Sequence, residues 1–170
     1  MTRPLKLAEI LAVLDESRSV PDLQRYFLGV GGVSFSGGQF ERLGGSGYRP
    51  EVANTITADD LIAVQMLSVQ VSPRRALDLL QGQLGRKRPK LVPVYDEVVS
   101  CAYGTAAGFR KWLHGRLGED DGVLPQRLRS LHAMADLPAV VSPLRVLDAV
   151  FWMRHRDGHG GTGCPGLRLS

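Results

Sequence analysis

Apolar residues recur along this chain every three or four positions, and no stretch of any length alternates with period two. That spacing predicts helices rather than half-buried strands. Leu7, Ile10, Leu11 and Leu14 share one side of a helix over residues 5–14, with Lys6 and Glu9 off it. Ser17 to Ser19 interrupt. Ser19 can then cap a second helix, with Pro21 in its first turn, where an absent N–H leaves nothing unpaired. Leu23, Tyr26 and Phe27 form its inner side, and Gly29 ends it. Thr57, Asp59 and Asp60 suit the start of another helix, whose run Leu61, Ile62, Val64, Met66, Leu67 and Val69 is apolar nearly all round and so points to central burial. Ser72-Pro73 and Ser142-Pro143 place a capping serine before a proline at the first helical position. The likeness of these two starts is shared helix grammar, since nothing beyond them repeats.

Further on, Val98, Val99, Ala102 and Tyr103 follow Asp96 in a helix that closes at Gly104. Phe109, Trp112, Leu113 and Leu117 define the next, with Arg110, Lys111, His114 and Arg116 on its other sides. Glu119-Asp120-Asp121 is an acidic turn. Leu124, Leu128, Leu131 and Met134 then mark a helix that starts near Pro125 and ends before Pro138. The last helix buries Leu144, Leu147, Val150 and Phe151. The expectation is a single all-α domain over 1–153 with about seven or eight helices. Residues 154–170, rich in Gly, His and Arg, are expected to be a flexible tail.

Composition changes this picture little. The 170 residues suit one domain with a real core, and 44% hydrophobic with 22% charged content is ordinary for a globular chain. The 21 Lys and Arg against 17 Asp and Glu give a formal charge of +4, which suits an anionic partner without demanding one. The amino-terminal residues lead into an amphipathic helix rather than an apolar leader, and no run reaches a membrane span of ~18 apolar residues. A cytoplasmic protein with no membrane partner is expected.

Candidate chemistry narrows quickly. Cys101 and Cys164 are too few for a disulfide scaffold or a zinc framework. No His-Glu-x-x-His motif occurs. His155 and His159, four apart, could form a loose site with Cys164, but Gly158, Gly160 and Gly161 argue against a helix there, so no metal or cofactor is expected. Gly45-Ser46-Gly47 lies in a loop, without the strand-to-helix frame of a nucleophilic serine. Residues 29–47 are rich in glycine, yet they have no Walker lysine, and Phe35, Phe40 and Leu43 are spaced to anchor a connecting loop. What remains is charge. Arg86, Lys87, Arg88 and Lys90 place four cations in five positions, dense enough to hold phosphate, and Arg110, Lys111 and Arg116 could extend the patch if the helices pack side by side. Asp96 is the one acid in a suggestive setting, after an apolar run and at the head of a helix, where a dipole-stabilised carboxylate is the plain explanation.

Arg88-Pro89-Lys90-Leu91-Val92-Pro93-Val94-Tyr95-Asp96 resembles an uncharacterised all-α family of actinobacteria. Phe40-Glu41-Arg42-Leu43-Gly44-Gly45, Thr57-Ala58-Asp59-Asp60-Leu61 and Leu147-Asp148-Ala149-Val150-Phe151-Trp152 are similar to it as well, so the resemblance covers roughly residues 20–153. That family is distantly similar to helix-hairpin-helix DNA glycosylases, a likeness that implies a catalytic position for Asp96. The chain departs from them between Leu80 and Lys90, where Gln81-Gly82-Gln83-Leu84-Gly85 stands in place of a phosphate-gripping hairpin with its lysine. The expectation is a non-catalytic domain that contacts DNA phosphate. The alternatives are a divergent glycosylase-like enzyme using Asp96 and a protein–protein interaction domain.

Overall fold

The computed structural model describes residues 3–33, 35, 38, 72–74, 77, 97–104, 109–139, 141–159 and 166, with Glu97 and Arg110 described by backbone alone. Six α-helices lie among them: α1 (Leu7–Val13), α2 (Glu16–Leu23), α3 (Glu97–Tyr103), α4 (Phe109–Gly118), α5 (Val123–Met134) and α6 (Pro143–His155). No strand occurs among the described residues, and no described helix is long and apolar enough to cross a membrane. Pro73, Arg74 and Leu77 are helical, as the Ser72-Pro73 start predicts. The expected helix after Thr57 and most of the glycine-rich stretch lie outside the described residues.

Among the described helices, α6 is the central one. It packs on α3, α5 and α2 and reaches α1. Val146, Leu147, Val150 and Phe151 are fully buried, and Leu144 only partly so. Each such side chain is worth roughly 1.5–3 kcal/mol of transfer free energy. The start of α6 follows from sequence: the Ser142 hydroxyl accepts the Arg145 N–H at 3.3 Å, and Pro143 takes the position where no N–H is needed.

The amino-terminal segment is strapped across α3 and α4. The Leu5 N–H donates to the Tyr103 carbonyl at 3.3 Å, and the Trp112 indole donates to the Leu5 carbonyl at 3.3 Å. α1 is closed by Glu9, whose carboxylate accepts the Lys6 N–H at 2.7 Å and pairs with the Arg3 guanidinium.

Three expectations need correction. The second helix is capped four residues before Ser19: the Asp15 carboxylate accepts the Arg18 N–H at 3.3 Å, and Ser19 is buried inside α2. Pro21 is therefore interior, where it removes one backbone bond of the helix. The wider five-residue turns of Gln24–Leu28 follow directly and end at Gly29, whose φ of 70° only glycine adopts freely. Met134 is not part of the core. It is 49% exposed, because α5 buries Leu124, Leu128 and Leu131 and turns its last residue outward. Helical order also runs past Arg154, to His155 at the end of α6 and through a 3₁₀ turn at Arg156–Gly158.

Beyond Val33, Phe35 and Gly38 are the residues of the glycine-rich stretch that the structure describes. Phe35 stacks on Tyr26 at 5.6 Å between ring centroids and meets Trp152 edge-on at 5.5 Å. A Cβ on Gly38 would stand 2.1 Å from the Tyr26 carbonyl oxygen, so only glycine allows this approach.

Candidate functional site

The described polar groups converge on α6. Its burial extends to three charged or titratable residues: Arg145, Asp148 and His155, 3%, 1% and 3% exposed. Arg145 and Asp148 lie one turn apart, with Nη1 3.8 Å from Oδ2. The Arg145 guanidinium also lies 6.0 Å from the Tyr26 ring centroid and 5.8 Å from that of Phe27. It thereby couples the start of α6 to the wide-turn segment after α2. The Ser-Pro helix start says where α6 begins and leaves the burial of Arg145 and Asp148 open. The signal that could have found it is the apolar residues on every side of α6, which leave no solvent face for Arg145 and Asp148.

At the other end of α6, His155 closes the helix and the 3₁₀ turn brings the chain back on itself. The His155 and His159 rings lie 5.4 Å apart, nearly edge to face. Cys101, two residues before the end of α3, joins them because α3 packs on α6. One sulfur and one nitrogen from each imidazole lie within 4.8 Å of one another. Cys101 and His159 are half-buried, and His155 is fully so. His159 Nδ1 is shielded from solvent and has no hydrogen-bond partner among the described residues. Spacing suggested His155, His159 and Cys164; the described trio has Cys101 instead, and Cys164 lies outside the described residues. The other histidines stand apart: His114 is exposed, and His132 Nε2 lies 3.2 Å from the Pro138 carbonyl oxygen.

Charge around this trio is compensated. Arg154 pairs with Asp22 at 2.9 Å and Arg156 with Asp157 at 3.3 Å, so the guanidiniums flanking His155 each have a carboxylate beside them. Burial pushes the Asp22 carboxyl above the ordinary carboxylate value, against the pull of Arg154.

The residues singled out from sequence fare unevenly. Arg86, Lys87, Arg88, Lys90 and Asp96 lie outside the described residues, and Arg110 is described only as a backbone position in α4. Lys111 is exposed on α4.

A helical domain with a polar cluster at each end of its central helix is the class that these observations define. Residues 19–85 and 83–155 match a family model described as Family of unknown function (DUF6308), and the chain belongs to that family. No curated protein and no solved structure matches the chain.

Proposed function

We propose that this chain is a non-catalytic, nucleic-acid-associated domain that grips phosphate through Arg86, Lys87, Arg88 and Lys90. The observation that carries the proposal is the density of that run, four cations in five positions. Such a cluster displaces condensed counterions and binds without reading sequence. Two further facts support it. The run leads through Asp96 into α3, and Val99, Ala102 and Tyr103 fix that helix in the core, so a basic segment would be tethered to a rigid element. Lys111, an expected extension of the patch, is exposed.

The test is a fluorescence-anisotropy salt series with single- and double-stranded DNA. Binding is expected to weaken steeply with salt and to differ little between sequences. Replacing Arg86, Lys87 and Arg88 together by Ala should reduce the slope of log K against log salt by roughly 3. Absence of binding at low salt discards the proposal. The enzymatic alternative places Asp96 at the reacting base. It would show as base release that Asp96→Asn abolishes while DNA affinity stays unchanged.

A further inference from the structure

We propose that Cys101, His155 and His159 form a binding site for a zinc-class divalent transition-metal ion. The inference is independent of any phosphate contact by residues 86–90.

The donor set comes first. One thiolate and two imidazoles are ligands that zinc favours, and three protein ligands leave a fourth position for water or another side chain. Hard cations such as Mg²⁺ and Ca²⁺ seek oxygen and are not served by this trio. The distances come second. Zn–S near 2.3 Å and Zn–N near 2.0–2.1 Å put tetrahedral ligand atoms about 3.3–3.6 Å apart. The three atoms here lie within 4.8 Å of one another, so side-chain rotation of about an ångström closes the set without moving a helix. The third point is polar satisfaction. His159 Nδ1 is buried with no partner among the described residues, a condition that costs free energy unless something occupies it.

The elements hold this arrangement for reasons apart from the cluster itself. α3 and α6 are fixed against each other by Val99, Ala102, Tyr103 and Phe151, and the 3₁₀ turn returns His159 to the side of His155. Cys101 and His159 reach the surface, which gives an ion a way in. On binding, the thiol gives its proton to water and both imidazoles bind as neutral rings. The ion would then pin the chain after α6 to α3.

A cysteine–histidine pair acting as a nucleophile would use the same sulfur. Such a pair needs one imidazole, whereas two converge here, and the metal accounts for both.

The experiment uses the full chain, stripped of metal and titrated with Co²⁺ and then Zn²⁺. One Co²⁺ per chain should produce a thiolate-to-cobalt charge-transfer band, and Zn²⁺ should displace it. The band should vanish in Cys101→Ser and survive in Cys164→Ser. His159→Gln, at a half-exposed position that spares the core, should keep the helical circular dichroism and weaken Zn²⁺ binding at least about tenfold. Zn²⁺ should also slow alkylation of Cys101. The assignment is overturned by no band in the wild type, by a band lost in Cys164→Ser, or by unchanged Zn²⁺ affinity in folded His159→Gln. Alkylation of Cys101 at the same fast rate with and without Zn²⁺ would overturn it in favour of a nucleophilic cysteine.

Discussion

At the scale of single residues, two carboxylates respond to acid in opposite directions. Glu9 is held down to about 2, first by the Arg3 guanidinium and then by the Lys6 N–H. Its ordinary value is 4.5, so folding favours the charged form. The stability that Glu9 contributes is complete above about 4.5 and is lost as pH falls toward about 2. Asp22 is the reverse case. Its folded value is raised by burial, so the charged form carries a cost at neutral pH that acid relieves. Urea midpoints measured across the acid range should therefore fall less steeply in Glu9→Gln than in the wild type, and more steeply in Asp22→Asn. The Glu9 effect is modest because the pair is exposed to solvent. Identical slopes in all three chains would contradict this assignment. Neither behaviour is legible in the sequence: Glu9 lies six residues from Arg3, and the partner of Asp22 lies at the far end of α6.

At the scale of elements, the chain announces its starts and stops best where one residue type has one job. Ser142-Pro143 is such a place, and Ser142→Ala should cost about 1 kcal/mol. By calorimetry that is a fall in Tm of roughly 2–4 °C for a chain of this size, and no change would mean the cap is idle. The start of α2 carries two competing signals. Asp15 and Ser19 are both good caps, and Pro21 makes the later one look right. The helix begins at the earlier one because Ser19, fully buried, turns its hydroxyl back to the Val13 carbonyl at 3.4 Å. The proline is accommodated by the wide turns that follow. Those turns place Tyr26 against Phe35 and Trp152 and let the chain at Gly38 pass against the Tyr26 carbonyl. Gly38→Ala should therefore destabilise by about 1–3 kcal/mol, since a backbone atom cannot yield as a side chain would. Urea denaturation indistinguishable from wild type would show that the segment shifts freely. Periodicity gave the inner faces of α3, α4 and α6, because a helix buries what it repeats. It could not give the metal trio, since Cys101 and His155 are brought together by packing of α3 on α6 across more than fifty intervening residues.

At the scale of the whole molecule, what sets this chain apart from a plain helical bundle is the ion pair inside its central helix. Arg145 and Asp148 are 3% and 1% exposed, and taking two charges out of water costs several kcal/mol each. A separation of 3.8 Å is long for a charge-assisted hydrogen bond, so attraction between these two groups alone offsets only part of that cost. The rest of the compensation is collective. The Arg145 guanidinium lies near the Tyr26 and Phe27 rings, which present the negative faces of their π systems to a cation. Through that contact the pair fixes α6 against the segment that follows α2, and it does so beside the aromatic group of Tyr26, Phe35 and Trp152. Removing one partner takes away one charge of the pair and leaves the other charge buried. Arg145→Met or Asp148→Leu alone should cost about 3–5 kcal/mol. The double variant should cost clearly less than the two added together, because no buried charge is left behind. Urea unfolding of the four chains forms a double-mutant cycle, and a coupling of at least about 1 kcal/mol is expected. Additive losses would mean that the two charges are compensated separately and that α6 is oriented by its apolar faces alone.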